Sequence, residues 1–400
     1  DKLIPIVLRS NQSSKDSINA LESINVYAQS SGKNIPLSQV ASIQTVYEES
    51  KIIRRDYSVR IFIMTVSIII PHHNGKKLLF DCVDSIYKNI TTQDFEVIVV
   101  DNMSNDNSAD EVKEKFPTIN LLKTGSNIGY SGGCNFGAKH AQGEYIIFLN
   151  NDTLHTKNWI EELVNFLENN PQVGAAQPKI LNAINREMFD YAGGAGGFID
   201  KYCFPFVRGR LFNTLEKDIN QYGNPKKIFW ASGAAFIIRK RLLEELDYFD
   251  NIYFAYMEEI DLCWRLQSLG WSVWYVPSSL VYHYGKQTIK ENSFKSHYFN
   301  HRNSWILFFK NSHSFENGLL IFKRYILDHM AAIYSILILD FNRFLAIFAS
   351  HLWIIYNCRT LFHSRKNNHL RNSKIDLIYE NSIAVDYFFK GKKYFSQIFD

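Results

Sequence analysis

Residues 66–74 read VSIIIPHHN, residues 97–108 read VIVVDNMSNDNS and residues 145–153 read YIIFLNNDT. Each opens on a short apolar run and stops abruptly in residues that cap helices or bind ligands. Runs this short and this rich in Val and Ile read as strands buried on both faces, as in a parallel sheet. Helical spacing lies between them, over 77–89 and 109–115, with a further strand over 119–122. This alternation predicts an α/β fold built on a mostly parallel sheet flanked by helices. Ligands gather beyond the carboxyl ends of such strands. Pro71, Asp101 and Asp152 stand at three of those ends.

Downstream, the pattern predicts a helix over 159–168, a strand over 173–180 and a glycine-rich turn, AGGAGGF, at 192–198. A strand over 229–238 and a helix over 241–246 follow. The acidic run at 258–261 then leads into a helix over 262–269, and a last strand reaches His283.

Composition bounds the function. At 400 residues, 46% hydrophobic and 21% charged, the chain is globular rather than mainly disordered. A net charge of +4 asks for no nucleic acid. The five cysteines are scattered without a CxxC pair, which argues against a zinc site or a disulfide framework. Each reads as a small buried hydrophobe, and together they suit a reducing compartment.

Several residues have a plain structural reading before any family is considered. Asp101 can cap the turn that follows it. Asn127, Gly129 and Asn135 lie in a glycine-rich turn entering a helix, where backbone can approach a phosphate. Asn150-Asn151-Asp152 reads as a polar strand-to-helix turn and Glu258-Glu259 as an acidic helix start. Trp230, close to Gly233, reads as a core side chain.

Taken with NIGYSGGCNFG (127–137), WASGAAFIIRK (230–240), YMEEIDLCWRLQSLGW (256–271) and YVPSSLVYHYG (275–285), these phrases resemble, in order, the family 2 glycosyltransferases of the GT-A fold, particularly the rhamnosyltransferase-like branch. The resemblance implies an inverting transfer from a nucleoside-diphosphate sugar, dTDP-rhamnose or a UDP-sugar, to a glycan or lipid-linked glycan in surface polysaccharide synthesis. It implies a donor site of Pro71, His73, Asn74, Asp101, Asn127, Gly129, Asn135, Asn150 and Asn151. It also implies a divalent metal, Mn or Mg, on Asp152 and His283. Asn150 replaces the first Asp of the family's Asp-x-Asp motif. Glu259 takes the place of the catalytic base, supported by Glu258 and Asp261, and Trp230 and Gly233 line the acceptor pocket. A non-catalytic sugar-nucleotide or glycan-binding protein on the same fold is the competing reading.

Two flanks complete the expected organisation. Residues 1–63, with IPIVLR at 4–9 and PLSQVA at 36–41, resemble a periplasmic fragment of a resistance-nodulation-division efflux transporter. They are expected to lie outside the enzyme, either as a foreign piece ahead of a natural start at Met64 or as an N-terminal extension. The catalytic domain is expected over 64–290. Residues 291–400 hold apolar runs interspersed with Lys and Arg, shorter than the roughly 20 residues that span a bilayer. They read as amphipathic helices lying on an anionic membrane surface, on the cytoplasmic face of a bacterial inner membrane.

Overall fold

A computed structural model describes residues 25–28, 33–36, 66–91, 94–285, 293–312, 317–367 and 375–399. The chain divides into two compact units, Asp1–Met64 and Thr65–Asp400. In the first, β1 (Asn25–Ala28) and β2 (Lys33–Pro36) form an antiparallel hairpin. Of PLSQVA only Pro36 is described, and IPIVLR at 4–9 lies outside the described residues.

The second unit starts with β3 (Val66–His72), α1 (Lys76–Asn89), β4 (Phe95–Asp101), α2 (Ser108–Lys115) and β5 (Asn120–Lys123). Then come α3 (Gly129–His140), β6 (Tyr145–Leu149), β7 (Thr153–His155), α4 (Trp159–Asn169) and β8 (Val173–Asn182). Short strands β9 (Gly197–Asp200), β10 (Pro205–Val207), β11 (Arg210–Leu211) and β12 (Thr214–Leu215) precede β13 (Lys226–Ile228) and β14 (Ala235–Arg239). Helices α5 (Lys240–Glu245) and α6 (Glu258–Ser268) lead to β15 (Ser272–His283).

The main sheet has nine strands in the order β13-β15-β8-β14-β6-β3-β4-β5, with β7 against β15. Parallel pairing joins β6, β3, β4 and β5, and also β15 and β8. β14 runs against both β6 and β8. By direction the sheet is mostly parallel, as expected, with β7, β13 and β14 reversed. Alternate side chains of β3 enter opposite cores. Val66, Ile68 and Ile70 pack with Leu79, Val83 and Trp159, and Ile69 packs with Val100, Cys134 and Ala138.

Two boundaries differ from expectation. The strand read from Phe229 starts only at Ala235. Phe229 and Trp230 are apolar because they fill the core from an irregular segment, which mimics a strand in the sequence. The helix read from Leu262 starts at Glu258, which puts both glutamates in its first turn. Cys82, Cys134, Cys203 and Cys263 are buried unpaired thiols, as read.

The C-terminal part holds α7 (Phe294–Asn311), α8 (Gly318–Leu337), α9 (Phe341–Tyr356), α10 (Cys358–Asn367), β16 (Ile378–Tyr379), α11 (Ile383–Phe388) and α12 (Ser396–Phe399). Trp305, Ile306 and Leu307 of α7 belong to the same core as Ile69 and Val100. β16 joins β9 in a second sheet of five strands, ordered β12-β11-β10-β9-β16. No structural boundary therefore falls at residue 290. Among the described residues no single helix is long and apolar enough to cross a membrane. The bent pair Phe341–Tyr356 and Cys358–Arg365 passes that test by length and composition only.

Candidate active site

The ends of β3, β4 and β6 meet as the topology dictates. His72, fully buried at the end of β3, links two neighbouring segments: its Nε2 lies 2.6 Å from Ser108 Oγ and its Nδ1 2.7 Å from Asn151 Nδ2. An amide N–H donates to Nδ1, so Nε2 carries the proton and the ring is neutral. Burial agrees, lowering the His72 pKa to about 4. His73, the histidine singled out in the sequence, is half-buried and contacts the Asn102 carbonyl through Nδ1 at 3.0 Å.

Asp101 realises its capping reading, with Oδ1 accepting from Ser104 N at 2.9 Å. Asn74 is in the left-handed region (φ 62°), and its side chain accepts from Asn105 N at 2.9 Å. Asn74 and Asp101 therefore fix the loop that follows β4 through Asn105 N and Ser104 N. Pro71 packs against Gly133, where an added Cβ would lie 3.2 Å from its ring.

The glycine-rich turn is built for packing rather than for a phosphate. Gly129 has φ 76°, and a Cβ there would sit 2.4 Å from the Phe254 carbonyl oxygen. That oxygen accepts from Tyr130 N at 2.7 Å and Ser131 N at 3.3 Å, so the first N–H groups of α3 are already taken. Asn127 Oδ1 accepts from Gly129 N at 3.0 Å. Asn135 gives its amide to the Phe249 carbonyl at 2.8 Å and accepts from Phe249 N at 3.0 Å. Asn135 and the first N–H groups of α3 tie this helix to the chain leading into α6, while Asn127 closes the turn onto Gly129 N. Asn102, unremarked in the sequence, stitches this turn to β4 through Gly129 O at 2.9 Å and Ile128 N at 2.9 Å.

Asn150, Asn151 and Asp152 turn the chain from β6 into β7. β15 returns antiparallel to β7 and pairs His283 with Thr153, which brings the imidazole to the motif. His283 Nε2 lies 3.1 Å from Asp152 Oδ1 and 3.3 Å from Asn150 Nδ2. On its other side Nδ1 lies 3.2 Å from Asp190 Oδ2. Burial opposes charge on this ring, but the carboxylates of Asp190 and Asp152 outweigh it and raise the His283 pKa well above its usual value. Asp190 is nearly fully buried, and the sequence drew no attention to it. A convergent carboxylate, imidazole and amide suit an oxygen- and nitrogen-binding divalent ion. Among the described residues no group of three or more His, Cys, Asp and Glu could hold a metal. Any ion here would draw the rest of its ligands from substrate and water.

Glu258 and Glu259 follow a left-handed run, with φ of 59° at Phe254, 69° at Tyr256 and 70° at Met257. Such a run persists only where surrounding contacts over-determine it. The α7 residue Asn303 donates to the carbonyls of Tyr253, Ala255 and Tyr256 at 3.0, 2.8 and 2.7 Å. Its neighbour Arg302 donates to the Ile252 carbonyl at 2.8 Å. Glu258 is buried and Glu259 half-buried, and the Oε2 atom of each is buried without a hydrogen-bond partner. Burial raises both carboxyl pKa values, and the adjacent Glu259 charge raises Glu258 further.

Asp261, expected among the catalytic carboxylates, is instead a structural hub. It accepts from Arg265 Nε at 2.8 Å, Asn311 Nδ2 at 2.8 Å and the Tyr253 hydroxyl at 3.1 Å. Burial pushes its pKa up, but Lys310 and Arg265 prevail and hold it far below the usual range. Trp230 is likewise a core side chain. Its ring covers Gly197, where a Cβ would lie 2.0 Å away, and its Nε1 donates to the Phe198 carbonyl at 2.8 Å. This close approach explains Gly197 in the glycine-rich turn and removes Trp230 as a sugar platform. Gly233 keeps a place in the site. Its carbonyl accepts from the Tyr130 hydroxyl at 2.6 Å, and the next carbonyl, of Ala234, accepts from Asn150 N at 3.0 Å. The segment thus bridges the asparagine turn and Tyr130, whose hydroxyl feels the charges of Glu258 and Glu259.

Residues 67–247 match the model of the family described as Glycosyl transferase family 2. The N-acetylglucosaminyl-diphospho-decaprenol L-rhamnosyltransferase of Mycobacterium tuberculosis is 25% identical over 238 residues, which cover 56% of this chain and 77% of that one. The poly(ribitol-phosphate) beta-glucosyltransferase of Bacillus spizizenii is 32% identical over 188 residues, 45% of this chain and 30% of that one. Among solved structures, a mannosyltransferase from Pyrobaculum calidifontis in complex with GDP-Man and Mn2+ aligns with a TM-score of 0.45 and 14% identity, covering 81% of this chain and 87% of that one. Residues 67–247 thus carry a family 2 glycosyltransferase domain, and the chain is a glycosyltransferase.

Proposed function

We propose that the chain is an inverting transferase that moves a hexosyl group from a nucleoside-diphosphate donor, dTDP-rhamnose or a UDP-sugar, to a hydroxyl of a glycan or lipid-linked glycan during surface polysaccharide synthesis. The observation that carries the reaction type is the Glu258–Glu259 pair, each with one buried, unpartnered carboxyl oxygen. A carboxyl oxygen left without a partner, on a group raised towards neutrality by burial, is suited to taking a proton.

Glu259 accepts the proton of the acceptor hydroxyl as that oxygen bonds to the anomeric carbon. The bond from this carbon to the diphosphate breaks, and its electron pair leaves with the nucleoside diphosphate. Attack on the face opposite the leaving group inverts the anomeric centre. Asp152 and His283, with the Asn150 amide beside them, are the residues that would hold Mn2+ or Mg2+; such an ion supplies charge neutralisation to the departing diphosphate. Pro71, His73, Asn74 and Asp101 frame the nucleotide end, and Asn151 is fixed there by His72. Gly233 lies on the acceptor side.

The names of the two relatives support a cell-surface glycan as the acceptor class, and the first supports rhamnose and a lipid-linked acceptor. A lipid-linked acceptor would put the work at the cytoplasmic face of the inner membrane. The test is nucleoside-diphosphate release from a panel of dTDP- and UDP-sugars with Mn2+ and a lipid-linked glycan, for the wild type, Asp152→Ala and Glu259→Ala. Release by the wild type alone supports transfer. Three identical traces would return the chain to a binding role.

A further inference from the structure

Helices α8 and α9 are turned inside out relative to a surface helix of a water-soluble protein. Their buried stripe carries Arg324, Asp328, Ala332 and Ser335 on α8, and Ala346, Ile347 and Ser350 on α9. Arg324 and Asp328 are held there by the Tyr202 carbonyl and by Trp305 Nε1, each at 2.5 Å. The outward stripe of α8 is Phe322, Ile326, Met330, Ile333 and Leu337, and that of α9 is Phe341, Leu345, Phe348, Leu352 and Ile355. These recur every three or four residues, which is one face of a helix. The turn between the helices adds Leu339, which is 74% exposed.

Fully exposed charge lies only at the ends of this surface, where Lys323 opens it and Arg359 closes it. Asp340 and Arg343 at the turn are half-buried, with Asp340 capping Arg343 N and paired with His297. Between the two basic ends the exposed residues that carry polar atoms are Asn342 and the tyrosines Tyr325, Tyr334 and Tyr356. A contiguous exposed apolar face of this size marks an interaction site. A second copy of the chain would bring the same basic ends and so no complementary charge. Hydrocarbon bounded by anionic headgroups satisfies both the apolar face and the cationic ends. The outward stripe of α8 is about 22 Å long at 1.5 Å per residue. That falls short of a hydrocarbon core of roughly 30 Å, so the pair suits burial in one leaflet rather than a crossing.

We infer that α8 and α9 form a monotopic membrane-insertion surface that seats the enzyme on an anionic bilayer through their outward apolar faces, with the turn at 338–340 entering the leaflet. The inference concerns a surface apart from the catalytic carboxylates and stands or falls separately from the transfer reaction.

The experiment is flotation of the full chain with vesicles of phosphatidylglycerol and phosphatidylethanolamine, and with phosphatidylcholine alone. The wild type is compared with the double variant Ile333→Glu, Leu337→Glu. Both positions are exposed, so the variant is expected to keep its circular dichroism and its rate of nucleoside-diphosphate release to a water-soluble acceptor. The wild type is expected to float with the anionic vesicles, and the variant at least tenfold less. A Leu339→Trp reporter is expected to be quenched by brominated lipid. Equal flotation of wild type and variant, or an unquenched reporter, would overturn the insertion. Equal flotation with phosphatidylcholine would overturn the anionic preference. A wild type that ignores vesicles but forms dimers that the variant loses, by light scattering, would assign the surface to a second copy instead.

Discussion

A carboxyl group removed from water beside a second carboxyl group holds its proton more tightly than one in solvent. Burial pushes the Glu259 carboxyl up to about 7. The base must be ionised to accept a proton, so transfer is expected to rise as pH increases through about 7, not through the usual glutamate range. An initial-rate profile at saturating donor and Mn2+ checks this, and a flat rate down to pH 5 would contradict it. Asp190 presents a second prediction at this scale. It faces His283 Nδ1 at 3.2 Å, the position from which an outer carboxylate orients a metal-binding imidazole. Asp190→Asn is expected to weaken Mn2+ binding about 10- to 100-fold, read by electron paramagnetic resonance titration without turnover. Unchanged affinity would leave Asp190 a purely structural partner. Asp190 was invisible in the sequence because it belongs to no phrase with a recognisable spacing. Asp152 and His283, at strand ends inside such phrases, were legible. His72 was passed over for His73, since only the pleat of β3 decides which of two adjacent histidines points inward.

The loop before α6 is the element on which the site depends. Its left-handed residues are pinned by three hydrogen bonds from one amide, that of Asn303. Removing that amide strands buried carbonyls. Asn303→Ala is expected to cost about 1–3 kcal/mol in urea unfolding, with a fall in kcat larger than any change in donor affinity. Gly129→Ala tests the opposite side of the same loop, because its Cβ would strike the Phe254 carbonyl. A lower Tm is expected, and an unchanged Tm would mean that the loop yields freely. The strands of the parallel half were legible because each is a short apolar run ended by polar residues. The segment from Phe229 to Ala234 was not, because core-filling loops and strands share the same composition. Of the glycine-rich turn, Gly129 has the unusual backbone, φ 76°, and it serves close approach to Phe254, while Asn135 holds Phe249 through its side chain.

Across the whole molecule, the catalytic unit does not stop where the recognisable phrases stop. α7 supplies Arg302, Asn303, Lys310 and Asn311 to the loop and helix that carry the glutamates. A chain ending at residue 290 is therefore expected to lose cooperative unfolding and activity. A chain starting at Met64 is expected to keep both, since the first unit separates at that residue; circular dichroism melts and nucleoside-diphosphate release check the pair. The C-terminal third read as membrane-seeking because its apolar runs are interspersed with Lys and Arg. What the sequence could not separate was α7, which faces the core, from α8 and α9, whose apolar faces point outward. The most direct test of the catalytic account is kcat and donor Kd measured side by side for the wild type and Glu259→Gln, a substitution that keeps shape and removes the proton acceptor. The account predicts an unchanged Kd with kcat lower by about 10²- to 10⁴-fold. A Glu259→Gln enzyme that transfers sugar at the wild-type rate would contradict it.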